Sequence, residues 1–173
     1  MANTTFDGPV RSKNGFINIG PGMTKSLSAD TVLTVQEHAG RILLLNDADG
    51  KFTLPAINVN ADSAVAGPGS DPNNLNNIGA SFYFYIETAA TDLDIKTDGT
   101  DKFTGAVMLA VDDGAKKAFV PAAANDVMTF DGGTAGGLAG SGVQVTAVDT
   151  NNYLVHNSLV IATGTIVTPF ANA

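Results

Sequence analysis

Gly40-Arg41-Ile42-Leu43-Leu44-Leu45-Asn46-Asp47-Ala48-Asp49-Gly50-Lys51-Phe52-Thr53-Leu54-Pro55 is the stretch whose reading decides the fold class. Ile42 to Leu45 is an apolar run of strand length. The Asn/Asp/Gly cluster stops it, and Phe52 with Leu54 restarts a period-two pattern that Pro55 ends. The stretch reads as two strands joined by a tight turn, a hairpin.

Working outward, Leu27 to Val35 alternates, and Val35-Gln36-Glu37-His38-Ala39-Gly40 reads as one helical turn closed by Gly40. On the other side, Asn58 to Ile78 carries Gly67-Pro68-Gly69, Asp71-Pro72 and an Asn-rich run, which marks a long loop. Ser81 to Glu87 is the clearest strand. Phe82, Phe84 and Ile86 point one way and Tyr83, Tyr85 and Glu87 the other, so aromatic side chains on both faces predict a strand covered on both sides. Asp92 to Lys96 alternates polar out and apolar in before the turn at Asp98-Gly99. Further strands are expected at 102–104, 107–111, 118–121, 127–130, 143–148, 153–155 and 159–163. Short strands with Gly, Asp and Asn turns and no amphipathic helix predict an all-β fold, an antiparallel β-sandwich or a jelly-roll-like β-barrel. Residues 1–26 lack a sustained period and read as an extended N-terminal arm, leaving 27–173 as a single β-rich domain with long Gly/Asn-rich loops.

The 173 residues have a formal net charge of -8 and no cysteine. An acidic chain lacks the clustered Lys and Arg that replace counterions on nucleic acid, so nucleic acid is not an expected partner. Thiolate metal sites and disulfides are excluded. Met1 to Asp7 has no basic region followed by an apolar one, and no stretch is apolar enough to span a bilayer, so synthesis in the cytoplasm is expected, without membrane partners. From Gly132 to Ala173 the only formally charged side chain is Asp149. Such a charge-poor segment is either core throughout or faces another subunit; the depletion of charge suits a subunit contact, with Leu159, Val160 and Ile161 as its expected residues.

No catalytic constellation stands out. His38 and His156 lie far apart and read as surface or turn histidines. Asp47-Ala48-Asp49-Gly50 looks like the middle of a calcium loop, but Leu45 and Ala56 would occupy its first and twelfth positions. Asp92 and Asp94 share a strand face and read as its solvated side. Gly132 to Gly137 matches no phosphate-binding pattern and reads as a flexible loop, and Ser141 lacks the spacing of a nucleophile elbow. No enzyme activity, metal or cofactor is expected.

The pattern Leu-Thr-x-x-Glu-His-x-Gly-Arg (33–41), then Asn-Asp-Ala-Asp-Gly, Thr-Leu-Pro-Ala, Gly-Ala-Ser-Phe-Tyr-Phe-Tyr-Ile and Val-Gln-Val-Thr-Ala-Val-Asp-Thr-Asn-Asn-Tyr-Leu-Val resembles a module of tailed-bacteriophage structural proteins. In such modules an aromatic residue, often Trp, follows the Asn-Asn-type turn; this chain departs from that pattern, with Tyr153 in that place and no Trp. The opening Thr5-Phe6-x-Gly8-Pro9-Val10-Arg11-Ser12 is similar to the start of capsid decoration, or cement, proteins of such phages. The resemblance implies a virion structural protein, expected to be a trimer, that is made in the host cytoplasm. It would bind the major capsid protein on the outer capsid surface and brace joints between capsid subunits. Phe6, Arg11 and Phe16, aromatic anchors beside positive charge, are the expected capsid contacts. The alternative is a tail-fibre or baseplate-associated β-module that recognises a host surface glycan, with Tyr83 and Tyr85 stacking on sugar.

Overall fold

A computed structural model describes residues 21–59, 77–112 and 114–173. Six strands form its centre. β1 (Thr24–Leu27), β3 (Ile42–Leu45) and β5 (Ser81–Ile86) lie side by side and parallel in one sheet. β2 (Thr31–Val32), β4 (Lys51–Thr53) and β6 (Leu93–Lys96) do the same in a second sheet. The chain thus winds as a flattened coil of three turns, each giving one strand to each sheet. A single helical turn, α1 (Val35–His38), links the first turn to the second, and the Thr34 side chain caps it by accepting from the Glu37 amide.

The hairpin expected from Gly40 to Pro55 is therefore a corner between sheets. A tight hairpin turn with Asp-Gly at its centre needs both residues at positive φ. Neither Asp49 nor Gly50 adopts it. Gly50 is there for room: a Cβ would sit 2.8 Å from the Phe52 ring and 3.0 Å from Asp47. The corner's backbone groups bond to neighbouring turns. Asn46 N donates to Leu27 O (2.8 Å), Thr91 N to Ala48 O (2.7 Å) and Asp94 N to Gly50 O (3.0 Å), while the Asp30 carboxylate accepts from Lys51 N (2.8 Å). The parallel ladder thus continues around the bend.

Alternation then fills the space between the sheets. Leu43, Leu45, Phe82, Phe84 and Ile86 face Phe52, Leu54, Leu93 and Ile95, all at most 1% exposed. Each such side chain contributes about 1.5–3 kcal/mol by leaving water. Tyr83 is half-buried and Tyr85 is 37% exposed, so β5 is covered on one face only. Aromatic residues fit a half-open strand because their rings also pack along the sheet surface.

The later strands are β7 (Lys102–Gly105), β8 (Val107–Ala110), β9 (Lys116–Phe119), β10 (Val127–Phe130), β11 (Gly142–Ala147), β12 (Asn152–Ile161) and β13 (Phe170–Ala171). β11 runs antiparallel to β5, and β10 antiparallel to β6, so both sheets change direction at the third turn. The orders are β1-β3-β5-β11-β12-β8-β9, with β7 also beside β12, and β13-β10-β6-β4-β2. The fold is the expected all-β sandwich, but its sheets are mixed rather than antiparallel. Three residues assigned to the arm, Thr24, Lys25 and Ser26, belong to β1; polar outward positions on an edge strand had masked its period.

Two segments expected as separate strands, 153–155 and 159–163, join in β12 through a bulge. Gly142 pairs with Leu159 but Gln144 with His156, which leaves one extra residue in β12. Asn157 sits there with φ of 45°. Beside it the chain kinks from β7 to β8 at Gly105, with φ of 91°. Ser158 pins the kink by donating to Ala106 O (3.2 Å) and accepting from Met108 N (3.1 Å). The glycine tract after β10 is packed, which corrects the flexible loop. Ala135, Gly136 and Gly137 are buried, the Asp131 carboxylate accepts from the Gly133 and Ala135 amides (both 2.8 Å), and a Cβ on Gly136 would lie 2.5 Å from Val160. The glycines admit close approach rather than motion.

Gly105 and Gly99 have nearly the same φ, 91° and 94°, but a Cβ at Gly105 would lie 2.2 Å from Val155 O and one at Gly99 would meet nothing within 4 Å. Gly99→Ala is expected to cost about 1–3 kcal/mol of backbone strain. Gly105→Ala adds a backbone collision, so its thermal midpoint is expected to fall further by at least about 4 °C, the size of a 1–2 kcal/mol difference in a chain of this length. Equal midpoints for the two variants would show that the kink relaxes freely.

Candidate functional site

The large sheet presents a broad outer face on β3, β5, β11 and β12. Its register sets out two rows. Ile42, Tyr83, Gln144 and His156 lie opposite one another in the first, and Leu44, Tyr85, Gly142 and Leu159 in the second. Gly142 leaves a gap in the second row that Tyr83 fills: a Cβ there would be 2.5 Å from the Tyr83 hydroxyl and 3.2 Å from Cζ. Tyr83 thus leans diagonally across β11. Ile42 (38%), Tyr85 (37%) and Leu159 (58%) remain exposed.

Polar side chains on this face bond to each other. Gln144 Nε2 donates to Ser81 Oγ (2.7 Å), Asn157 Nδ2 donates to Gln144 Oε1 (2.8 Å), and Thr146 Oγ1 donates to Ser81 Oγ (3.0 Å). Thr146 Oγ1 also lies 2.9 Å from His156 Nε2. The positive φ of Asn157 places its amide within reach of β11. The sequence showed the tyrosines, but a bulge at a non-glycine residue has no signal in composition or period.

Of the expected subunit-contact residues, Leu159 is exposed, Ile161 is half-buried and Val160 is fully buried in the chain's own core. Alternation beyond the bulge turns Val160 inward, where it cannot meet a neighbour. The expected capsid contacts Phe6, Arg11 and Phe16 lie outside the described residues.

The ionisable groups mostly tie the fold. Asp94 accepts from Thr129 Oγ1 (2.6 Å), linking β6 to β10, while Asp92 is exposed. Lys102 bonds to Asp126 (2.7 Å), whose second oxygen accepts from Ala173 N (2.8 Å). Burial pushes Asp126 up, but Lys102 and the Ala173 amide outweigh it and hold the carboxyl below its ordinary range. Burial raises Asp101 despite its bond from Ile57 N (2.8 Å). Tyr153 is buried with its hydroxyl on Pro55 O (2.6 Å); burial, then Asp101 and Asp98, push its phenol far above its usual range. Among the described residues no three His, Asp or Glu side chains converge as metal ligands would. A shallow recess on the small sheet is lined by Asp30, Thr31, Val32, Lys51, Thr53 and Lys96.

His38, expected at the surface, is 3% exposed. The turn exposes Gln36 and Glu37, while the His38 ring folds back to accept from Thr34 N at Nδ1 (3.0 Å). Nε2 is buried and finds no partner among the described residues. Burial, followed by the charge of Lys25, holds the imidazole below its ordinary range.

The unfolded chain therefore takes up this proton first as pH falls through about 6.5, and stability drops from that point downward until the folded ring also protonates. The expected outcome is a urea midpoint that falls more between pH 7 and pH 5 in the wild type than in His38→Phe; parallel pH profiles would show that the ring does not carry the effect. No protein family, curated protein or solved structure matches this chain.

Proposed function

We propose that the chain is a capsid decoration protein of a tailed bacteriophage, a self-associating β-rich subunit that adheres to the major capsid protein on the outside of the head. The observation that carries this reading is the broad outer face of β3, β5, β11 and β12, which exposes Ile42, Tyr85 and Leu159 without a charged side chain within the strands, on a chain of net charge -8. Together with the motif resemblance, it favours a protein that works by surface contact. Adhesion needs no chemistry. Buried apolar area contributes roughly 25 cal/mol per Å² before ordering costs, and many identical sites sum to a brace against pressure from within. The packed coil suits that load because its core and backbone ladder hold each face in a fixed shape.

A second reading draws on Tyr83 and Tyr85. Tyr83 leaning across Gly142 beside an exposed Tyr85 offers aromatic surface to a sugar, as a tail-associated glycan-binding module would. Copy number separates the two, since decoration proteins are abundant on the virion and fibre proteins sparse.

The test is co-sedimentation with purified capsids. The full chain is expected to pellet with them. A chain starting at Met23 keeps every described strand but lacks Phe6, Arg11 and Phe16, so it is expected to fold and bind capsids at least about 30-fold more weakly, the scale of losing hot-spot anchors. Undiminished binding by the shortened chain would remove the capsid role from these residues, and no binding by the full chain would overturn the decoration reading.

A further inference from the structure

We propose that the first turn of the coil, residues 24–39, is an acid-released strap: protonation of the His38 ring lifts β1, β2 and α1 off the sandwich together while the rest of the chain stays folded. Such a release occurs whatever the chain adheres to. A midpoint for the whole chain does not show which part yields first, whereas the surroundings of His38 do.

Topology makes the segment separable. β1 and β2 are end strands of their sheets, β1 paired with β3 and β2, over two residues, with β4. Both can leave without parting any other pair of strands. Within 24–39 only Leu27, Leu33 and His38 are buried, with Val35 and Ala39 half-buried against the core. Beyond the two ladders, the seam is crossed by Asn46 N to Leu27 O (2.8 Å), Leu33 N to Thr53 O (2.8 Å) and Lys51 N to the Asp30 carboxylate (2.8 Å). The ion pair of Lys25 with Glu37 (2.6 Å) lies wholly inside the segment and leaves with it. A unit at the edge with so few buried side chains opens at a lower free energy than the whole chain.

The ring is where the strap is weakest. With Nδ1 accepting from Thr34 N (3.0 Å), the proton of the neutral imidazole sits on Nε2, which is buried and has no partner among the described residues. A second proton, on Nδ1, meets the Thr34 amide head-on. Thr34 O and Thr34 Oγ1 lie 3.2 and 3.4 Å from Nδ1, and turning the new N–H to either one leaves the Thr34 amide without its acceptor. The charges that face the ring give no help. Lys25 on β1 and Arg41 just before β3 are positive, and Glu37 on α1 is already bonded to Lys25. A buried imidazolium here is therefore short of acceptors and of a free counter-charge, and water solvates it once the segment lifts.

Linkage gives the direction and the size. In the opened segment His38 takes up its proton at about pH 6.5, while burial keeps the ring in place from doing so until lower pH, so opening becomes easier as pH falls through about 6.5. Between pH 7 and pH 5.5 the ceiling for one such group is about eightfold in the opening equilibrium. The bond from Lys25 holds Glu37 below the ordinary carboxylate range, so their pair survives across this window.

The experiment is amide hydrogen exchange by NMR on the wild type, His38→Phe and His156→Gln at pH 7 and pH 5.5, with each rate corrected for the intrinsic effect of pH on exchange. Leu33, His38 and Ala39 report from the strap, and Asn46 and Lys51 from the far side of its seam. Ile86, Ala147 and Ala162, bonded to Ser141 O, Ala80 O and Ala110 O, report from the rest of the large sheet. In the wild type, protection at the first five amides is expected to fall at least about threefold between the two pH values, while the last three keep theirs. His38→Phe, which leaves a ring in place that cannot titrate, is expected to lose the fall, and His156→Gln to retain it. Unchanged protection at the strap and its seam, an equal fall at all eight amides, or a fall that persists in His38→Phe would each overturn the proposal. Where His38→Phe does not fold, His156→Gln decides: a fall retained there supports the strap, and a fall lost there assigns the proton to the other histidine and overturns it.

Discussion

Parallel neighbours in a sheet cannot be joined by a tight turn, and this constraint governs the centre of the molecule. The chain leaves the large sheet after β1, β3 and β5 and returns only after crossing the small sheet. Each crossing bends the backbone through a corner whose peptide groups need partners. The stacked turns supply them: Leu45 O receives Glu87 N and Thr88 N, Leu27 O receives Asn46 N, Thr53 O receives Leu33 N and Lys96 O receives Leu54 N. The apolar filling could be satisfied by many arrangements. The corner bonds favour the one in which successive turns lie in register.

The acidic composition takes on a specific meaning in that frame. Asp30 accepts from Lys51 N, Asp98 from Thr100 N and Asp101 N, Asp131 from Gly133 N and Ala135 N, and Asp149 from Asn151 N and the Asn152 side chain. The carboxylates substitute for backbone acceptors where the chain bends. These carboxylates collect at the bends because the turns need acceptors there, and the outer face of β3, β5, β11 and β12 is left with hydroxyls, amides and rings.

Period and turn chemistry made the strands legible in the sequence. Val127 to Phe130 and the alternation of Leu93 and Ile95 were read where they lie, and so was the helical turn at Val35. Pairing was not legible. Nothing local distinguishes Asp49-Gly50 as a corner from Asp49-Gly50 as a hairpin, because the difference is the φ of the two residues, which composition does not show. His38 was misplaced because a polar residue in a one-turn helix carries no sign of its burial, and the glycine tract because closeness to Ala90 and Val160 has no pattern of its own. On the outer face, the tyrosine pair was visible, while its polar neighbours needed the register of β5, β11 and β12 to bring Ser81, Gln144 and His156 together.

Asn77 has a consequence for how this chain tolerates change. Its side-chain carbonyl accepts from Asn58 N (2.7 Å), its amide nitrogen donates to Ala56 O (2.8 Å), and its backbone N donates to Asn58 O (2.9 Å). The chain is thereby tied off at the point where it leaves the second turn of the coil and rejoins the third. With the ends fixed, doubling the length of the segment between them adds only about 0.6 kcal/mol of closure entropy. Strand register on either side is set at Asn58 and Asn77 themselves and is insulated from the length of chain that joins them.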